Sequence, residues 1–216
     1  MLEGRNFGKA LGDVVRWELG QASTRHHHSK EALDMTDQSK TTKRSMIECW
    51  DEHTAQEFVH KDVDATMRTM TANPHVISVP VATGGRGWSE VRDFYAQHFI
   101  GRSPQDIRLE LLSRTADADR VVDEMLVSFT HDIEMPWMLP GIAATGRRVE
   151  IPFVAVIGFR DGKVESEHIY WDQASVLAQI GLLTSSGLPV LGAGQAKALL
   201  DPAVPLTKLL TSTGRR

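Results

Sequence analysis

The chain has a single cysteine among its 216 residues, Cys49, so no internal disulfide can form and a reducing compartment is expected. It has no long hydrophobic run either. Its longest apolar stretch, Phe153 to Phe159, falls far short of the roughly 18 residues that a membrane span needs. The N-terminus lacks the uninterrupted apolar segment of a secretory signal. Nor is there an excess of basic charge: 24 Lys and Arg against 28 Asp and Glu give a net charge of -4, which supplies no electrostatic reason to bind nucleic acid or an anionic membrane. No H-E-x-x-H and no Cys-x-x-Cys occurs, so no metal is expected. These absences leave a cytoplasmic protein as the expectation.

An apolar content of 41% and a charged content of 24% suit a soluble globular protein with one core, tails included. Residues 1–44 read as a flexible polar extension, within which Phe7, Leu11, Val14 and Val15 allow one short amphipathic helix. The run His26-His27-His28 lacks the i, i+4 spacing of helical metal motifs and reads as tail. From about Lys43 to Met70 an apolar stripe (Ile47, Trp50, Thr54, Phe58, then Val63 to Met67) predicts helix, with a break near His60-Lys61-Asp62. A short strand over 75–81, a turn at TGGRG (83–87) and a helix over 88–99 follow. Trp88, Val91, Phe94, Tyr95 and Phe99 approximate the inner face of that helix.

Beyond Ile107 the period changes to two. Strands are predicted over 106–114, 120–135, 149–160 and 163–172, with Asp161-Gly162 a hairpin turn between the last two. QASVLAQIGLL (173–183) reads as a helix, and 184–216 as a tail with one more helix at 195–200. Helices first and a meander afterwards imply an α+β fold with the helices on one face of a curved sheet.

The end of the last predicted strand, EHIYWD, carries the chemistry. Alternation puts His168, Tyr170 and Asp172 on one face and Glu167, Ile169 and Trp171 on the other. Asp172 can act as a general acid/base if its surroundings are dry, or cap the helix that follows it. His168 and Tyr170 can orient it or stabilise an oxyanion, or simply bond to neighbouring strands. His131, in FTHDIEMPW, shares a face with Met125, Val127 and Phe129 and is either an interior catalyst or a core histidine. The apolar loop 135–146 can close over a substrate or an interface with Trp137, Met138 and Leu139. Phe129, Trp137, Leu139, Phe153 and Trp88 are the candidate substrate contacts, with His75 at a pocket rim.

HTAQEFVHKDVDATMRTM, GIAATGRRVEIPFVAVIGFRDGKV and WDQASVLAQIGLL together resemble the SnoaL-like polyketide cyclase branch of the nuclear-transport-factor-2-like superfamily, over roughly residues 45–183. The resemblance implies a conical barrel: a curved antiparallel or mixed sheet wrapped over N-terminal helices and enclosing an apolar pocket. It also implies a homodimer through the outer sheet surface and acid/base catalysis by an Asp near the last strand, without metal or organic cofactor; Asp172 is the residue that matches. Members often carry Glu-His-Trp earlier in that strand, whereas His168 stands one step later, and one step reverses the face of a side chain.

A covalent hydrolase is excluded because Cys49 sits in MIECWDE without flanking glycines and no G-x-S-x-G occurs. GAGQAK (192–197) lacks the third glycine of a dinucleotide site, and TGGRG reads as a turn rather than an anion cradle. The expected activity is a cofactor-independent proton transfer (cyclisation, isomerisation or dehydration) on a small, largely apolar carbonyl compound. Asp172 is the expected acid/base, with His168 and Tyr170 or His131 as partners. The alternatives are a non-catalytic binder of a small hydrophobic molecule and a protein-interaction module.

Overall fold

The structure, a computed structural model, describes residues 15–16, 30–206 and 209–210. The amphipathic pattern beginning at Phe7 therefore lies almost wholly outside the described residues, and His26–His28 lie outside them altogether.

After a two-residue strand, β1 (Val15–Arg16), helix α1 (Lys30–Ala55) runs into one π-helical turn (Gln56–His60). Helix α2 (Val63–Arg68) follows a break in which Lys61 takes a left-handed φ of 55°. Asp62 starts α2 by accepting a 2.9 Å bond from the Ala65 amide, the usual work of an N-cap aspartate. The break falls where the spacing predicts it. The helix, however, begins at Lys30 rather than near Lys43, because residues 30–42 offer only Ala32, Leu33 and Met35 as apolar residues, too few for an apolar stripe to be read there.

Strands β2 (Met70–Ser78) and β3 (Thr83–Arg86) form a hairpin, so TGGRG is largely strand rather than turn. Helix α3 (Gly87–Phe94) ends in a second π-helical turn (Tyr95–Phe99). The meander comprises β4 (Arg108–Ala116), β5 (Arg120–Thr130), β6 (Arg148–Arg160) and β7 (Lys163–Trp171), followed by α4 (Gln173–Gln179) and α5 (Gly194–Leu200). The strand order is β1-β4-β5-β6-β7-β2-β3. β2 lies parallel to β7 and β1 parallel to β4, and all other neighbours are antiparallel, which makes the sheet mixed. No helix among the described residues is long and apolar enough to cross a membrane.

The sheet curves over the helices, and the core lies between them. Met125 and Val127 of β5, and Ile151, Phe153 and Ala155 of β6, are buried in one cluster with Met46 and Trp50 of α1. Each of these Met, Val, Ile and Phe side chains contributes about 1.5–3 kcal/mol on burial. One polar network pins α1 to the sheet. The Trp50 indole donates to the fully buried Asp123 at 2.8 Å, and Arg114 donates to the same carboxylate at 2.6 and 2.8 Å and to Asp51 at 2.8 Å. The loop after β5 folds inward: Met135, Trp137, Met138 and Leu139 are all buried within this chain.

Candidate active site

A cavity opens between the helices and the concave face of the sheet. Its envelope, counting the open side, is about 720 Å³. Apolar and aromatic groups from every layer line it, among them Trp50, Phe94, Phe99, Val127, Trp137 and Phe153. A smaller recess bounded by Lys61, Gly101, Ser103 and Gln105 shares Glu57, Phe58, Phe99 and Ile107 with it.

One part of the cavity wall is polar. Glu57, Tyr95 and Glu167 line the cavity, and His53 sits directly behind them, 0% exposed. His53 and Glu57 lie four residues apart on one face of the α1 helix and its π turn, as side chains at i and i+4 must. Tyr95 comes from the second π turn and Glu167 from β7. Each π turn contributes two wall residues, Glu57 and Phe58 from the first and Tyr95 and Phe99 from the second. Such turns recur where a helix must re-aim side chains at a site.

The bonding is specific. His53 Nε2 lies 3.0 Å from Glu167 Oε1 and 3.2 Å from Glu57 Oε1. The Tyr95 hydroxyl donates to the same Glu167 oxygen at 2.7 Å. On the other side of the ring, His53 Nδ1 is 2.6 Å from Thr69 Oγ1. That hydroxyl spends its own proton on the Thr66 carbonyl at 2.7 Å, so its oxygen must accept from His53. Nδ1 therefore carries a proton, and Nε2 faces the two carboxylates.

Charge follows from this arrangement. Burial works against a charged imidazole, but Glu167 and Glu57 beside it outweigh burial and push His53 up to about 10. Desolvation raises Glu57 above the ordinary glutamate value even though His53 opposes it. Burial, reinforced by the two carboxylates, holds the Tyr95 hydroxyl well above its usual range and therefore neutral. The cluster is thus an imidazolium held between two glutamates, one of which takes up a proton more readily than usual.

His53, Glu57 and Glu167 also form, among the described residues, the one trio of potential metal ligands whose donor atoms all lie within 4.8 Å of one another. Those donors can surround a divalent ion; in the structure His53 Nε2 is bonded to both carboxylates.

The residues singled out from EHIYWD lie elsewhere. His168, Tyr170 and Asp172 do share one side, but it is the convex side, and the cavity takes Glu167 and Ile169 from the opposite face. Asp172 caps α4: its carboxylate accepts from the Ser175 amide at 3.1 Å, from the Ser175 hydroxyl at 2.8 Å and from the Gln195 amide. Burial alone would raise Asp172, but these donors outweigh it and hold the carboxyl below its usual value, the reverse of what a base for a carbon acid needs. His168 pairs with His75 across β7 and β2, Nε2 to Nε2 at 3.1 Å. Burial, then the neighbouring His75 and Arg120, lower the His168 pKa. Tyr170 is 42% exposed. His131 is fully buried but lines no part of the cavity; its Nδ1 meets Thr145 Oγ1 at 3.1 Å, and burial lowers its pKa.

Of the expected substrate contacts, Trp137 and Phe153 line the cavity. Phe129 and Leu139 are buried in the surrounding core, where neighbouring side chains cover them, and Trp88 is 42% exposed because it stands at the start of α3 on its outer side. His75 is taken up by His168 on the convex side.

The missed residues left a trace in the sequence. His53 and Glu57 interrupt an apolar stripe at helical spacing, and Glu167 shares its face with Ile169 and Trp171, the more apolar half of EHIYWD.

Comparison with known proteins places this geometry in a family. The profile of the SnoaL-like domain matches residues 44–167. A protein named as a SnoaL-like polyketide cyclase from Jannaschia sp. CCS1 superposes with a TM-score of 0.53 at 18% identity, over 66% of this chain and 96% of that one. TsrD from Streptomyces laurentii gives 0.52 at 19% identity, over 65% of this chain and 98% of that one. Among curated proteins no significant sequence match is found. Identities this low speak for the fold alone, but the profile spans more than half of the chain and coincides with the helices and sheet that build the cavity. The chain belongs to the SnoaL-like family.

Proposed function

We propose that this protein is an acid/base enzyme that moves a proton at a carbon next to a carbonyl group of a small, largely apolar compound. The observation that carries this reading is the buried group of Glu57, Glu167, His53 and Tyr95 at the wall of an otherwise apolar cavity. Abstracting such a proton needs a base lifted toward neutrality in a water-poor site, and a glutamate raised by desolvation meets that need. Glu57 is assigned the proton transfer. Glu167 holds His53 and Tyr95 in place, and the imidazolium offsets negative charge as it develops on the substrate oxygen.

The test is exchange of α-protons for deuterium in small ketones, followed by NMR in heavy water. The wild-type protein should accelerate exchange, and Glu57→Gln should abolish the acceleration while keeping the fold. Wild-type exchange no faster than in buffer, across a panel of cyclic ketones, would favour the non-catalytic binder instead.

A further inference from the structure

His53, Glu57 and Glu167 bring one ring nitrogen and two carboxylate oxygens to within 4.8 Å of one another, and all three residues are buried. Two of them stand four residues apart on one helical face, the interval at which metal-binding helices aim two ligands at one ion. The sequence carries this as H-x-x-x-E, a spacing that neither H-E-x-x-H nor Cys-x-x-Cys describes.

The distances suit an ion as well as a proton. Ligand atoms about 2.0–2.2 Å from a zinc-like ion, at tetrahedral or octahedral angles, stand about 2.9–3.5 Å from each other. His53 Nε2 lies 3.0 Å from Glu167 Oε1 and 3.2 Å from Glu57 Oε1. An ion can therefore replace the Nε2 proton with only small side-chain adjustments.

The surrounding bonds are those that orient metal ligands. A ligating histidine almost always donates its second ring N–H to an oxygen, and ligating carboxylates are themselves hydrogen-bonded. His53 Nδ1 is tied to Thr69 Oγ1 at 2.6 Å, which leaves Nε2 aimed at the carboxylates, and the Tyr95 hydroxyl donates to Glu167 at 2.7 Å.

Charge supplies the reason for a divalent ion. Among the described residues, His53 is the one cationic partner within ion-pair distance of Glu57 or Glu167. A single imidazolium cannot balance two buried carboxylates, whereas a divalent ion beside a neutral imidazole balances both. A nitrogen and two carboxylates suit Zn²⁺ or its first-row neighbours better than Mg²⁺, which prefers all-oxygen surroundings and keeps its waters. Glu57 and Glu167 line the cavity, and three protein ligands with one open position is the arrangement of catalytic zinc sites.

We infer that His53, Glu57 and Glu167 form a binding site for one divalent transition-metal ion of the zinc class, with its open coordination position toward the cavity. The inference goes beyond the acid/base reading and does not depend on it. An ion on Glu57 occupies the base, so the metal-free protein is the form that exchanges protons and Zn²⁺ inhibits it.

The test uses full-length protein, freed of metal by a chelator and carrying His26→Ala, His27→Ala, His28→Ala and His75→Gln to remove the other neighbouring histidines. Calorimetry should show one Zn²⁺ bound per chain with a Kd of about 1 μM or tighter, and Mg²⁺ at least about a hundredfold weaker. Co²⁺ should give the visible absorption of a nitrogen- and oxygen-ligated ion, displaced by Zn²⁺. Glu57→Gln should weaken Zn²⁺ binding by about a hundredfold, and Thr69→Val by about tenfold, the low end for loss of a bond that orients a ligand. Tm in the absence of metal reports whether each variant is folded. Absence of Zn²⁺ binding, or an affinity unchanged in folded Glu57→Gln, overturns the inference, as does a Co²⁺ spectrum with thiolate bands, which would put the ion on Cys49. Failure here leaves proton exchange by the metal-free protein untouched, and absence of that exchange leaves the metal site standing.

Discussion

The imidazole of His53 stands 3.0 Å from the carboxylate of Glu167, although one belongs to the first long helix and the other to the last strand of the sheet. With Glu57 and Tyr95 this pair forms the polar part of the cavity wall, and it ties helix, π turn and sheet together at one point.

Replacing either carboxylate by its amide should separate chemistry from packing. Glu57→Gln should reduce turnover by about 10²–10⁴-fold, the usual contribution of a positioned acid or base, and Glu167→Gln, which loosens His53 and Tyr95 without removing the base, should reduce it less. Circular dichroism checks that the fold survives. Asp172→Ala should behave in the opposite way, costing about 1 kcal/mol through loss of the α4 cap and leaving turnover per folded molecule unchanged.

His53 should also govern stability. Removing it by His53→Ala leaves two carboxylates buried without their cation, a change that typically costs about 3–5 kcal/mol, measurable by urea unfolding. Thr69→Val should be milder, since it takes away only the acceptor for Nδ1.

Stability should fall as pH rises. The unfolded histidine titrates near 6.5 and the folded one at about 10, so between these values the folded chain holds the extra proton. The stabilisation from His53 is fully present below 6.5 and is lost as pH climbs through 10. Glu57, also raised in the folded state, acts in the same direction at lower pH. Tm measured across this range should drop more steeply for the wild-type protein than for His53→Gln. An equal slope in both would refute the buried imidazolium.

Gly84→Ala should damage the β2–β3 hairpin. A Cβ at Gly84 would lie 1.9 Å from the Val76 carbonyl oxygen, and its φ of 140° is closed to other residues. A loss of about 3 kcal/mol or more is expected from such strain, read from thermal or urea unfolding. The paired glycines of TGGRG thus serve close packing in a strand, which a turn reading cannot reveal because the approaching backbone comes from β2 at Gly84 and from α3 at Gly85.

Local pattern carried much of the architecture. The four meander strands, the hairpin at Asp161-Gly162, the break before Asp62 and the helix after Asp172 were all legible, because periodicity and turn chemistry are written in neighbouring residues. The π turns were not, since one extra residue per turn leaves the helical pattern nearly unchanged.

The site shows the boundary between the two kinds of information. Alternation along EHIYWD determines that Glu167, Ile169 and Trp171 oppose His168, Tyr170 and Asp172. It does not say which set faces inward, because a strand in isolation has no concave side. Only the curvature of the sheet over α1 and α3 gave it one, turning Glu167 toward His53, Glu57 and Tyr95 and leaving Asp172 to cap a helix.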